Sequence, residues 1–146
     1  MGVLCLWGWA FGGSFQPHVG QYAALAASKV HMRSGPGVEY PVTWIYVRPR
    51  FPMKVLDVFF FWCHVEDRAG NQGWIHKTLL GPSRWSVITQ KSTVYKAPGH
   101  GVLGVVNPDV LVHCIQQRKR WCQIRPELSA ITGWVSCDVL WGGDQQ

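Results

Sequence analysis

Hydrophobic and polar positions alternate along this chain in short runs, with a period of two rather than 3.6. Trp62-Cys63-His64-Val65-Glu66 puts Trp62 and His64 on one face and Cys63 and Val65 on the other, as a half-buried strand does. Val42-Thr43-Trp44-Ile45-Tyr46-Val47 is rich in β-branched and aromatic residues, and Met53-Lys54-Val55-Leu56-Asp57-Val58 alternates in part. A run opening with Val30 and Met32 ends at the turn Gly35-Pro36-Gly37, where the glycines are expected to supply positive φ and the proline to fix the loop. Asp67 to Asn71 reads as a hairpin turn into a strand over Gly73-Trp74-Ile75-His76, closed by a short helical turn at Lys77-Thr78-Leu79-Leu80. Helical spacing is sustained nowhere, so the pattern predicts an all-β chain.

The pattern also occurs twice. Trp62-Cys63-His64-Val65, then Gly73-Trp74-Ile75 and Leu79-Leu80, is matched in the same order by Trp121-Cys122-Gln123-Ile124, Gly133-Trp134-Val135 and Val139-Leu140. Upstream, Lys29 to Gly37 parallels Ser92 to His100. The chain therefore divides into an apolar N-terminal segment (1–21), a first unit (22–82), a second unit (83–142) and a short tail (143–146), with Gly81-Pro82-Ser83 as the joint. About five short strands per unit predict two tandem small β-barrels. Units of this size are marginal alone, because small bodies bury little of their surface, so mutual packing or a disulfide is expected to help. Gly73 and Gly133 are expected to allow close approach of strands, and Trp74 and Trp134 to fill the cores.

These residues resemble the bacterial SH3 domains, in the tandem form found in exported proteins of Gram-negative bacteria. The resemblance is carried by Lys29 to Gly37, Tyr40-Pro41-Val42, Trp62 with Val65, Gly73 to His76 and Leu79-Leu80, and in the second unit by Val94-Tyr95-Lys96, Trp121 to Ile124, Gly133-Trp134-Val135 and Leu140-Trp141-Gly142. The second unit departs in its opening turn and has a longer final hairpin. The resemblance implies two SH3-like barrels and a non-catalytic module for binding or targeting, since relatives are often appended to cell-wall hydrolases and are thought to hold them on peptidoglycan. It does not identify the ligand.

Composition adds a preference for anionic partners. Only 15% of residues are charged, against about 25% in ordinary domains, yet the formal net charge is +6. The longest basic run is Arg118-Lys119-Arg120, which reads first as a solvated hairpin tip. The apolar run of about eleven residues within Met1 to Gly13 is too short to span a bilayer but long enough for the apolar part of an export signal, although no basic residue precedes it. A packed apolar tail is the other reading. A periplasmic or secreted location is the expectation.

Five cysteines are present, Cys5 in the N-terminal segment and Cys63, Cys114, Cys122 and Cys137 in the units. Cys114 and Cys122 flank a tight basic hairpin, and antiparallel neighbours can come within bridging distance, so a Cys114–Cys122 disulfide is expected. Cys63 and Cys137 are expected to be buried free thiols, with a bridge between the units as the lesser alternative. No metal site is expected, because no Cys-x-x-Cys pair exists. Cys63-His64 is a poor nucleophile and base, since neighbours on a strand point to opposite faces. No catalytic residue and no cofactor is expected.

The aromatic residues remain. Trp44, Tyr46, Phe59, Phe60, Phe61 and Trp62 exceed what one small core holds. They read either as the contact between the two barrels or as a ligand site, in which Arg33, Tyr40, Trp44 and Tyr46 would line a groove for sugar rings or a peptide. The leading expectation is an envelope-binding module for peptidoglycan or an envelope protein. A protein–protein adaptor for extended peptides is the alternative. A nucleic-acid-binding barrel is disfavoured by the export signal and the cysteines.

Overall fold

Fourteen strands form two antiparallel sheets in the computed structural model, which describes residues 14–143. The first sheet contains β1 (Tyr22–Leu25), β2 (Val30–Arg33), β3 (Val42–Tyr46), β4 (Pro52–Phe59), β5 (Trp62–Glu66), β6 (Gln72–His76) and β7 (Leu80–Pro82). The second contains β8 (Trp85–Ile88), β9 (Ser92–Ala97), β10 (His100–Val106), β11 (Leu111–Arg118), β12 (Trp121–Pro126), β13 (Gly133–Ser136) and β14 (Leu140–Trp141). Strand order is β3-β2-β6-β5-β4-β1-β7 in one and β10-β9-β13-β12-β11-β8-β14 in the other. Adding seven to every label of the first sheet gives the second, so the duplication read from the sequence is a duplication of topology.

Seven strands per sheet replace the expected five. The extra ones are the short outer strands β1, β7, β8 and β14, which pair with one another and with β4 or β11. Tyr22-Ala23-Ala24-Leu25 contains weak strand formers and Leu80-Gly81-Pro82 reads as a turn, so ladder pairing rather than propensity holds them extended.

Each sheet curls around its own core. Ala23, Met32, Met53, Val65, Ile75 and Leu80 come from six different strands yet join one buried cluster, with Tyr46 of β3 packed against it. Ile88, Val112, Cys122, Ile124, Val135 and Leu140, from five strands, form the buried cluster of the second barrel. Close packing needs Gly73. A Cβ there would sit 2.6 Å from Met32 Cγ and 2.8 Å from the Arg33 carbonyl oxygen, so β2 and β6 meet at this distance only because position 73 has no side chain.

Two sequence expectations change. Gly35 and Gly37 do not adopt positive φ. Both are buried, and a side chain on Gly35 would strike the Tyr40 ring while one on Gly37 would strike the Glu39 carboxylate, so the need is for space. Trp74 is not a core residue. Gly73 and Ile75 occupy the inward positions of β6, and Trp74 lies on the outer face against His64, with ring centroids 5.0 Å apart and planes 19° apart. Trp134 is buried, with the Arg118 guanidinium over its ring at 5.4 Å.

The disulfide also differs. Cys122 is joined to Cys137, with Cα atoms 5.3 Å apart, and the expected Cys114–Cys122 bridge is absent. The two-residue turn Lys119-Arg120 sets the hairpin register, so Cys122 faces Gln117, and Cys114, beyond a bulge between Cys114 and Gln116, faces Ile124. Cys63 is free and buried, and Cys114 is free and partly buried. Cys137 is therefore bonded rather than a free thiol.

Of the N-terminal segment, residues 1–13 lie outside the described residues, so the export signal expected there is not visible. Residues 14–21 are tied to the first barrel. Phe15 packs on its core, the Gly20 N–H donates to the Val55 carbonyl at 2.8 Å, and the Val55 N–H donates to that of Gln21 at 2.9 Å. Among the described residues, no helix is long and apolar enough to cross a membrane.

The barrels touch through charge and a few rings. Arg50 Nη1 reaches Glu127 at 3.3 Å and its guanidinium lies 5.2 Å from the Trp85 ring centre. Arg68 pairs with Asp109 and donates to the Thr89 carbonyl at 2.7 Å. Tyr22 meets Trp141 edge to face at 5.1 Å.

Candidate functional site

The outer face of the first barrel carries a cleft of about 380 Å³ built on β2, β5 and β6. Its origin is the two-residue period of a strand. Val30 and Met32 turn into the core, so Lys29, His31 and Arg33 line up on the outside along one edge of the cleft. Cys63 and Val65 likewise turn inward and leave Trp62 outside, while Ile75 turns inward and leaves His76 outside. Trp62 and His76 are cross-strand partners, edge to face with centroids 5.2 Å apart. The result is a row of two full cations and a histidine facing an aromatic wall.

The wall is held in place. Thr78 N–H donates to His76 Nδ1 at 3.4 Å, and the Thr78 hydroxyl lies 2.7 Å from the same nitrogen, which leaves Nε2 as the outward nitrogen. Phe61 stacks on the other side of His76 at 6.1 Å with planes 9° apart, and Lys77 Nζ lies over the Phe61 ring at 4.8 Å. Arg33 closes one end. Its Nη1 donates to the carbonyl oxygens of Val38 at 3.1 Å and Tyr40 at 2.9 Å, fixing the loop from Ser34 to Pro41 beside the cleft.

Of the residues expected to line a groove, only Arg33 does so. Tyr40 sits in the pinned loop with its ring against Gly35. Trp44 and Tyr46 lie on the other surface of the sheet, opposite Met32 and Val30 respectively. Tyr46 is drawn inward, where its hydroxyl donates to Asp67 Oδ2 at 2.9 Å; burial and this bond raise its pKa far above that of an ordinary tyrosine. Trp44 stays 49% exposed on the sheet edge. The other role weighed for the aromatic group, the contact between barrels, is filled by other residues. Trp44, Phe59, Phe60 and Phe61 are exposed, and the arginines described above make that contact instead.

Lys29, His31, Trp62 and His76 are the residues the sequence reading missed. Their signal was present in the alternation of Lys29-Val30-His31-Met32-Arg33, whose outward members are all basic or ionisable. The arrangement suits an anionic ligand that also presents ring faces. Cations pair with carboxylate or phosphate, and Trp62 and His76 offer flat apolar surface. Burial pushes the Cys63 thiol up to about 11, only partly offset by Lys77, so it is protonated at neutral pH, and it faces the core while His64 faces outward. Among the described residues, no cluster of three His, Cys, Asp or Glu is placed to hold a metal ion.

The second barrel lacks an equivalent cleft lining. Its counterparts of His64 and His76 are Gln123 and Ser136, and one of its hollows, about 180 Å³, is apolar and lined by residues such as Val94, Leu103, Ile124 and Ile131.

Comparison with known proteins gives three results. No curated protein matches. Among solved structures, similarity is found to NlpC2 of Trichomonas vaginalis (13% identity over 86% of this chain and 49% of that one, TM-score 0.38). It is also found to an NlpC/P60 family protein of Bacillus cereus (10% identity over 84% of this chain and 57% of that one, TM-score 0.39). The chain thus spans about half the length of these structures. The family model described as bacterial SH3 domain matches residues 26–82, the segment that contains the whole cleft. The first barrel is therefore a bacterial SH3 domain, and the second repeats its topology.

Proposed function

We propose that this protein is a non-catalytic binding module of the bacterial cell envelope that holds peptidoglycan in the cleft of its first barrel. The observation that carries the reading is the juxtaposition of Lys29, His31 and Arg33 with Trp62 and His76 across one open cleft. Peptidoglycan offers both complementary features, sugar rings to lie on the aromatic wall and peptide carboxylates to pair with the cations. The Cys122–Cys137 bridge supports placement in an oxidising compartment, periplasmic or secreted.

The test is retention of the folded chain on purified, protein-free peptidoglycan at low and moderate salt. Wild type is expected to be retained. The double variant Lys29→Ala/His31→Ala, which removes two outward side chains without touching the core, is expected to lose about tenfold in affinity, equivalent to about 1.4 kcal/mol. Equal retention of both would remove the cleft from the account.

A second reading rests on β3. It is an edge strand with Val42, Trp44 and Ile45 exposed, and an exposed edge can accept an extended peptide as an added strand. In that case Ile45→Pro would abolish partner binding while the cleft variant would leave it intact.

A further inference from the structure

The tip of the β4–β5 hairpin is made of Phe59, Phe60 and Phe61, and folding does not account for it. Phe59 pairs with Trp62 across the ladder, leaving Phe60 and Phe61 as the turn. Phe60 is 76% exposed and has φ of 50°, a left-handed conformation that Gly, Asn or Asp adopts more cheaply than an aromatic residue. Lys119 occupies the equivalent turn of the second barrel with φ of 54°, so the hairpin forms with a polar residue there. Phe59 stacks edge to face on Phe60 at 4.8 Å, and neither packs against a core. The three rings form a convex apolar projection, a shape that enters a soft phase more readily than it fills a pocket.

Cations surround the projection. Lys77 lies over Phe61, and Phe61 leans on His76 at the margin of the row Lys29, His31 and Arg33. Of the two carboxylates on the hairpin, Glu66 lies at the far end opposite Lys54, and Asp57 accepts the Val58 N–H at 2.8 Å. Aromatic rings at an apex with basic side chains behind them match the interface of an anionic bilayer, where rings enter the acyl boundary and cations stay among the headgroups.

We propose that the β4–β5 tip docks the first barrel on an anionic phospholipid surface by inserting Phe60 and its neighbours. This does not rest on the wall-binding reading, since the insertion is carried by the rings of the tip, although the cleft's basic margin lies behind them.

The experiment is co-sedimentation of the 146-residue chain with vesicles of phosphatidylcholine alone and of phosphatidylcholine with phosphatidylglycerol. Wild type is compared with Phe60→Asn, Phe60→Lys and Leu128→Asn, the last removing an exposed apolar residue of the second barrel. All four carry the same N-terminal segment, so their differences report the substituted sites. Thermal melts check that each is folded, and Asn and Lys both suit the local φ. Wild type is expected to bind phosphatidylglycerol vesicles more tightly than phosphatidylcholine and to weaken with salt. Phe60→Asn is expected to bind at least about tenfold more weakly, and Phe60→Lys to be weakened despite its added charge, while Leu128→Asn binds as wild type. Wild type failing to bind, Phe60→Lys binding as tightly as wild type, or Leu128→Asn losing as much as Phe60→Asn would overturn the proposal. Self-association of wild type that is abolished by Phe60→Lys, without vesicle binding, would assign the tip to a second copy of the chain and overturn it equally. Retention of Phe60→Asn on peptidoglycan separates this result from the wall-binding test.

Discussion

Cys137 occupies the place that Lys77 holds in the first barrel. Each residue opens the single 3-10 turn that follows the last inner strand, after a capping His76 or Ser136, and each lies near the cysteine of the Trp-Cys pair. In the second barrel that proximity is a covalent bond closing a separation of 15 residues. A loop of this length constrains the unfolded chain by about 3 kcal/mol in the entropic model. Cys137→Ser is therefore expected to lower stability in urea by about that amount under oxidising conditions. Cys114→Ser is expected to change it by less than about 1 kcal/mol, because that thiol is only partly buried and unbridged. A second residue-scale consequence concerns His113. Its Nδ1 is buried without a hydrogen-bond partner, and burial, with Arg125 and Arg84 nearby, holds its pKa below the ordinary 6.5. The unfolded chain then binds a proton that the folded one refuses, so stability is full above about pH 6.5 and falls as pH drops toward the lowered folded value. Thermal melts across that range should show the decline, and His113→Gln should make it shallower.

At the scale of elements, the inner strands were legible because their alternation separates core from surface residue by residue. Cys63 and Val65 face inward and Trp62 and His64 outward, as read. The outer strands were not legible, since Ala23-Ala24 and Gly81-Pro82 have no strand preference and are held by their partners. Of the residues that line the cleft, the sequence reading named only Arg33. The aromatic density of β3 drew the reading to Trp44 and Tyr46, whereas the cleft arises where three strands bring their outward residues together, and pairing of β2 with β6 and of β6 with β5 cannot be read from one strand. The disulfide was missed for a related reason: the two-residue turn at Lys119-Arg120 sets a register in which Cys122 faces Gln117, three positions along the strand from Cys114. Gly73 is where element packing and site meet. Gly73→Ala would push Met32 and the Arg33 backbone away from β6, at a cost of about 1–3 kcal/mol for overpacking. Because Arg33 and His31 ride on the same strand, peptidoglycan retention should weaken in parallel, checked by urea unfolding and pull-down on one preparation.

In the whole molecule, arginines of the first barrel reach acceptors of the second. Exposed ion pairs contribute little singly, and Arg50 is largely exposed. Arg68 is the more sheltered and makes two contacts, to Asp109 and to the Thr89 carbonyl. Arg68→Ala is expected to uncouple the barrels, so that one calorimetric transition separates into two, the first barrel lacking a disulfide and melting earlier. In the proposed function the first barrel carries the binding chemistry and the second, with Gln123 and Ser136 where the first has histidines, braces it. The most direct test of that division is a nuclear magnetic resonance titration of the isotopically labelled chain with soluble peptidoglycan fragments. The account predicts shifts concentrated at Lys29, His31, Arg33, Trp62 and His76 with the second barrel silent. Shifts centred on β3 or on the second barrel, or none at all, would contradict it.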